Sequence, residues 1–185
     1  MVTFSIARRS RRFRFNAGLG LLFLVLFVGY VLALTQLQRS TEQSYAKLRG
    51  SDPDRYLSEI RLAEGFRVYL QKFGELKGYE TPQRLAPPFL IGRWVLHDKP
   101  LRVDDSYVPP SCLNDVVIQD NQIRTGRPKP ATYDVRYQID GKRVLAMREG
   151  QAPIVITPVG YGVHINHIEI TLPDDESPQY GYMCK

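Results

Sequence analysis

The side chains best suited to chemistry in this sequence are three histidines and two cysteines. His164 and His167 stand three apart, with Glu169 two residues further on. In a regular strand, residues three apart point to opposite faces, so this spacing alone does not make a metal pair. The parity of the neighbouring apolar residues changes the argument. Val163 and Ile165 share one parity, whereas Ile168, Ile170 and Leu172 share the other. One inserted residue near Asn166, a β-bulge, would bring both apolar sets to the same side. His164, His167 and Glu169 would then share the polar face. His97, at the end of another strand, could complete a donor set suited to zinc or copper. The preferred reading is plainer: the three histidines are polar-face residues of half-exposed strands.

Cys112 and Cys184 have no CxxC neighbour, which argues against a redox motif or a zinc knuckle. Both follow the long apolar segment and none precedes it. An even count in an oxidising compartment predicts a disulfide between them. The remaining polar groups look like loop chemistry. Asp104-Asp105 and Asp174-Asp175-Glu176 sit in turn-like stretches without EF-hand spacing. Ser111 lacks the G-x-S-x-G context of a nucleophile. Gly160-Tyr161-Gly162 is a two-glycine turn rather than a phosphate loop. Arg127-Pro128-Lys129-Pro130 reads as an exposed basic connection. No catalytic residue and no cofactor is expected, and the chain is not read as an enzyme.

The elements that must position these residues fall into two halves. Ala17 to Leu34 is a run of 18 residues without charge. As a helix it spans about 27 Å, close to the hydrocarbon core of a bilayer. Arg8, Arg9, Arg11, Arg12 and Arg14 precede it with no acid among them. They predict a cytoplasmic amino terminus and an exported remainder. The whole chain carries +6, from 25 basic and 19 acidic residues. Without the five amino-terminal arginines the rest is nearly neutral, so a basic face for nucleic acid is not expected. Val31-Leu32-Ala33 has the small-residue spacing of a signal-peptidase site. The apolar run exceeds the ~7–15 residues of a typical signal, and an uncleaved signal-anchor is expected instead.

Asp52-Pro53-Asp54 starts a helix: a capping carboxylate, a proline suited to the first helical position and an acid at the positive end of the dipole. Leu57, Ile60, Ala63, Phe66, Leu70 and Phe73 then recur every three or four residues. They predict an amphipathic helix over 53–77, broken near Gly65. Ile60, Phe66, Leu70 and Phe73 are its candidate contacts, against the adjoining domain or a partner. The segment Thr81–Pro88, with three prolines, reads as a linker.

Beyond the linker the pattern is one of strands: Phe89–His97, Val116–Gln119, Tyr133–Ile139, Arg143–Arg148, Pro153–Thr157, Gly160–Leu172 and Gln179–Cys184. Asp140-Gly141 marks a hairpin. A three-residue loop there would set Leu145 and Met147 on the face of Val135 and Tyr137, burying larger side chains than a two-residue turn would. Gly92-Arg93-Trp94 resembles the opening of lipocalin-like barrels over three residues, too few to assign a family, and Trp94 is expected in the core. Tyr161, Tyr180 and Tyr182 cluster near the carboxyl end, a composition suited to protein or glycan contact.

The expected fold is mainly β, with an N-terminal transmembrane helix and helical stalk. It carries a small antiparallel β-barrel or sandwich of about six or seven strands. The expected organisation is a basic cytoplasmic arm over 1–16, a signal-anchor over 17–36, a stalk over 37–80, a linker over 81–88 and an exported β-domain over 89–185. The function expected is that of a non-catalytic, single-pass binding or assembly subunit. It would sit in a bacterial inner-membrane envelope complex with its β-domain in the periplasm. Its partners would be other membrane or envelope proteins and, through residues 17–34, the bilayer. The alternatives are a periplasmic barrel carrying a lipid or cofactor, and a metal-binding protein using His164 and His167.

Overall fold

The structure, a computed structural model, describes residues 7–101, 107, 109–126, 130–161, 163–173 and 175–184, and of residues 7–19 and 161 the backbone only. The chain divides into two compact units at Asp52 and Pro53.

The first unit is a single α-helix, α1 (Ala7–Ser51). No proline interrupts it, and its last turn is closed by the Asp52 N–H donating to the Leu48 carbonyl at 2.8 Å. From Gly20 onward it is long and apolar enough to cross a membrane, with a mean hydropathy of 2.2 over its most apolar window, none of it buried. Residues 37–51 of the expected stalk continue this helix.

The second unit begins with α2 (Pro53–Glu64) and α3 (Phe66–Lys77). The break falls at Gly65, whose φ of 81° lies in the left-handed region that side chains disfavour. The expected interruption is therefore present, and it lets the apolar stripe continue round a corner. Lys77 pairs with Asp54 at 2.6 Å, tying the end of α3 to the start of α2. Ile60, Phe66, Leu70 and Phe73 are all buried. α3 packs on the sheet, where Gly74 approaches Ile139 and Phe66 lies against Gly160. The stripe expected to contact the adjoining domain or a partner is thus buried within the second unit.

Among the described residues nine strands follow: β1 (Gly92–His97), β2 (Asp115–Gln119), β3 (Gln122–Thr125), β4 (Ala131–Asp134), β5 (Arg136–Asp140), β6 (Arg143–Arg148), β7 (Gln151–Tyr161), β8 (His164–Thr171) and β9 (Gln179–Cys184). They form one sheet in the order β4-β3-β2-β1-β9-β8-β7-β6-β5, with every neighbouring pair antiparallel. The two ends of that order, β4 and β5, are successive in the chain and joined by Val135 alone. The sheet therefore curls back on itself into a nearly closed barrel. Trp94, Ile118, Ile123, Tyr137, Ile154, Ile168 and Ile170 are almost fully buried and fill its core.

The strand count corrects the expected six or seven. β3 was missed because it is four residues long and presents one buried apolar residue, Ile123. Its turn is made by Asp120-Asn121, with Asn121 at φ 50°, a conformation asparagine tolerates better than most residues. The expected strand 133–139 is two strands, because the chain bends at Val135. The hairpin register is also corrected. Tyr137 pairs with Ala146 and Ile139 with Val144, leaving Gly141 and Lys142 as a two-residue loop. Val144 and Ala146 are buried, and Leu145 and Met147 are only half-buried. Maximising volume on one strand misled, because packing is set across the layer. Ala146 sits between Tyr137 and Ile154, and the ring occupies the space a larger residue would need.

The bulge in β8 is where the parity change placed it. Val159 pairs with His167 and Gly160 with Ile165, so Asn166 is the extra residue. Gly160 at this irregularity has no room for a side chain: a Cβ there would lie 2.7 Å from the Phe66 Cβ and 3.1 Å from the His164 carbonyl oxygen. Gly160→Ala should destabilise the second unit by about 1–3 kcal/mol, read as a lowered urea midpoint with the m-value unchanged.

Candidate functional site

Of the sequence-predicted site residues, His97, His164, His167 and Cys184 stand on the neighbouring strands β1, β8 and β9, with His97 and His167 on the outer face. The register sets His97 opposite Tyr180, Val95 opposite Tyr182, and Glu169 opposite Tyr180. Tyr182, 1% exposed, is the hub. His167 stacks on it at 5.5 Å between ring centroids, His97 meets it edge-on at 5.6 Å and Tyr107 edge-on at 5.7 Å. Tyr180 packs against His167 at 5.9 Å. The Tyr182 hydroxyl accepts from the Leu101 N–H at 2.7 Å and lies 3.3 Å from the Leu101 carbonyl. An outward-facing tyrosine is thus buried with Leu101 and Tyr107, from between β1 and β2, against it.

The chain between β1 and β2 is fastened by the disulfide. Cys112 and Cys184 are bonded, with their Cα atoms 6.4 Å apart, as expected. Cys184 pairs with Arg93 across the sheet, and Arg93 holds Asp115 at 2.8 Å. The covalent tie and the ion pair therefore fix the same corner of β1, β2 and β9.

The histidines do not converge as ligands do. His97 and His167 both pack on Tyr182, while His164 is exposed. The His167 Nδ1 lies 2.9 Å from the Asn166 Oδ1. The His97 Nε2 and the Asp175 Oδ2 are buried, with no hydrogen-bond partner among the described residues. Among the described residues, no three His, Cys, Asp or Glu side chains come together as a metal site requires. Asp104, Asp105, Arg127, Pro128, Lys129, Gly162 and Asp174, named above from the sequence, lie outside the described residues, as do residues 1–6 of the basic arm.

A second feature was not foreseen. The segment 79–86, read as the end of the stalk and a linker, is built into the barrel. Gln83 and Tyr137 exchange two backbone hydrogen bonds, at 2.8 and 2.7 Å. The Ile139 N–H donates to the Tyr79 carbonyl, and the Asn121 N–H to the Arg84 carbonyl. The Ala86 N–H donates to Asp120. Beside this segment, at the Val135 bend, lies an open groove of about 640 Å³ lined by Arg84, Asp134, Arg136, Arg148 and Glu149 among others. Arg148 is committed to Gln151, to the Ala152 carbonyl and to the face of Tyr133. The sequence signal for this feature was weak: only the buried apolar residues Ala86 and Leu90 within a proline-rich stretch.

Two phenols show how the burial acts on charge. Tyr137 donates to the Gln119 carbonyl at 2.6 Å, and burial, aided by Asp120, pushes its hydroxyl well above the ordinary range. It therefore remains a donor that locks β5 to the β2–β3 turn. Burial likewise raises Tyr69, whose ring, with that of Phe66, receives the Arg61 guanidinium. Arg61 also donates to the Val163 carbonyl at 2.5 Å, anchoring α2 beside the β7–β8 turn.

Opening the disulfide in a Cys112→Ser, Cys184→Ser protein should cost about 2–4 kcal/mol, because it closes a loop of 72 residues. Urea unfolding followed by tyrosine fluorescence measures this. A pH dependence follows from His167. Burial lowers its pKa, against an opposing pull from Glu169. The unfolded chain then binds the proton more readily than the folded one. The stability this neutral ring contributes is present at neutral pH and is lost as pH falls through about 6.5 and below. Thermal melts at pH about 7.5 and about 5 should show a fall that His167→Phe reduces. No family model matches the chain, and comparison with curated proteins and with solved structures finds no similar protein.

Proposed function

We propose that the chain is a single-pass, membrane-anchored binding or assembly subunit of a bacterial envelope complex. Its amino terminus lies in the cytoplasm and its β-domain in the periplasm. The observation that carries this reading is one chain that joins an unburied apolar helix to a disulfide-bonded barrel. The helix and the disulfide both suit a domain displayed outside the cytoplasm. The arginines before the apolar run supply the orientation.

The barrel interior favours a scaffold over a carrier. Trp94, Tyr137 and the inward isoleucines of β2, β3, β7 and β8 occupy the axis. A carrier of a lipid or cofactor needs that volume open. A metal-binding role would need the histidines to converge, and His97 and His167 instead pack on the ring of Tyr182. A binding subunit needs neither a cavity nor a proton-transfer group.

The test is isolation of the full-length protein, tagged after Lys185, from native membranes in mild detergent. A reporter at the same position should behave as exported. Other membrane or envelope proteins should accompany the chain in fixed proportion and survive alanine at His97, His164 or His167. A protein that is recovered alone with a bound lipid supports the carrier. One that is recovered alone with stoichiometric zinc or copper supports the metal reading.

A further inference from the structure

The bend at Val135 leaves the sheet with two half-edges, and among the described residues one of them is occupied. The strand from Ala131 to Asp140 pairs with β3 along its first half and with β6 along its second. Its backbone groups alternate. Val135, Tyr137 and Ile139 direct their N–H groups toward Asn121, Gln83 and Tyr79, and Ala131 directs its own toward Thr125. Arg136, Gln138 and Asp140 face β6. The same alternation turns the N–H and C=O groups of Thr132 and Asp134 away from β3, toward the side where β6 has already ended. Among the described residues, no backbone partner meets them there.

The other half-edge shows what such a place accepts. On β5 it is filled in cis by Gln83, which adds as a short antiparallel segment. On the β4 side the open groove at the bend reaches Asp134 and takes in Arg84, Arg136 and Arg148. Its charge points to the kind of occupant. Arg84 and Arg136 are exposed and have no charged partner among the described residues, and Arg148 adds a third guanidinium. Asp134 and Glu149 oppose them, leaving the groove net positive. Glu149 is exposed in the turn between β6 and β7.

We infer that the β4 half-edge is a docking site for an extended, acidic segment of a partner protein, which adds to the sheet as a further strand. Main-chain hydrogen bonds to Thr132 and Asp134 hold its backbone, and Arg84 and Arg136 meet its carboxylates. The inference rests on the binding-subunit reading and names the chemistry of its partner.

The experiment uses the full-length protein in lipid nanodiscs and a fluorescent peptide of about eight residues alternating valine and glutamate. Saturable binding is expected, with slowed hydrogen exchange at Thr132 and Asp134. A lysine-for-glutamate peptide should bind about tenfold more weakly, and so should the glutamate peptide to an Arg84→Glu, Arg136→Glu protein. Thr132→Pro removes an outward N–H that the ladder does not use, so the fold should persist while binding is lost. The glutamate peptide N-methylated on alternate amides tests the same point on the unchanged protein, and should not bind. The inference is overturned by no saturable binding of the glutamate peptide, by equal binding of the lysine or N-methylated peptide, or by self-association of the protein that Thr132→Pro dissolves. If Thr132→Pro leaves co-isolation of membrane partners intact, the edge is not the docking site, and the binding-subunit reading stands.

Discussion

Almost everything in the β-domain depends on one bent strand. A sheet of this size must either expose two edges or bring them together, and unpaired edges cost both hydrogen bonds and solubility. Here the chain from Ala131 to Asp140 closes the sheet by pairing with β3 before the bend and with β6 after it. Val135, buried at the bend, donates its N–H to Asn121 and so holds the angle. The β2–β3 turn, the Tyr137 hydroxyl and the segment around Gln83 all converge on this point. Their common role is to satisfy backbone groups that the bend would otherwise leave unpaired in a dry interior.

The two helices of the second unit follow from the same closure. A barrel whose seam is completed by residues 79–86 needs the preceding chain delivered to the seam. α3 does this by packing Gly74 on Ile139 and ending at Gly78, whose left-handed conformation turns the chain toward Tyr79. Phe66, Tyr69, Phe73, Tyr79 and Phe89 form a continuous set of ring contacts along that path. The helices are therefore better described as the outer wall of the barrel than as a stalk standing apart from it.

How much of this could be read from the residues varies with the range of the interactions involved. The apolar segment, the helix break at Gly65, the bulge at Asn166 and the disulfide are written in local patterns: length without charge, periodicity, a switch of parity, an even cysteine count. An antiparallel barrel or sandwich follows from short strands without intervening helices, and the choice between them does not. The bend at Val135 and the pairing of Gln83 with Tyr137 are long-range backbone events that leave no periodic trace, and they are where the reading stopped short. The same is true of the outer-face cluster. The residues His97, His167 and Tyr182 were visible as types, but what decides their role is a long-range contact, from Leu101 and Tyr107, on a buried outward-facing ring. The groove at the bend has no motif at all, since its shape comes from what a neighbouring strand fails to cover.

The position of the last strand has a consequence for how the molecule is made. β9 lies between β1 and β8, in the middle of the sheet rather than at its margin. Residues 92–97 can therefore find one of their two neighbours only after residues 179–184 have been synthesised. Until then β1 and β8 each carry an unsatisfied edge, and the interior cannot be sealed. Closure of the barrel consequently waits for β9, with the disulfide between Cys112 and Cys184 forming only once the chain's two distant parts have met. Any change that removes even this short strand takes out a central plank of the sheet.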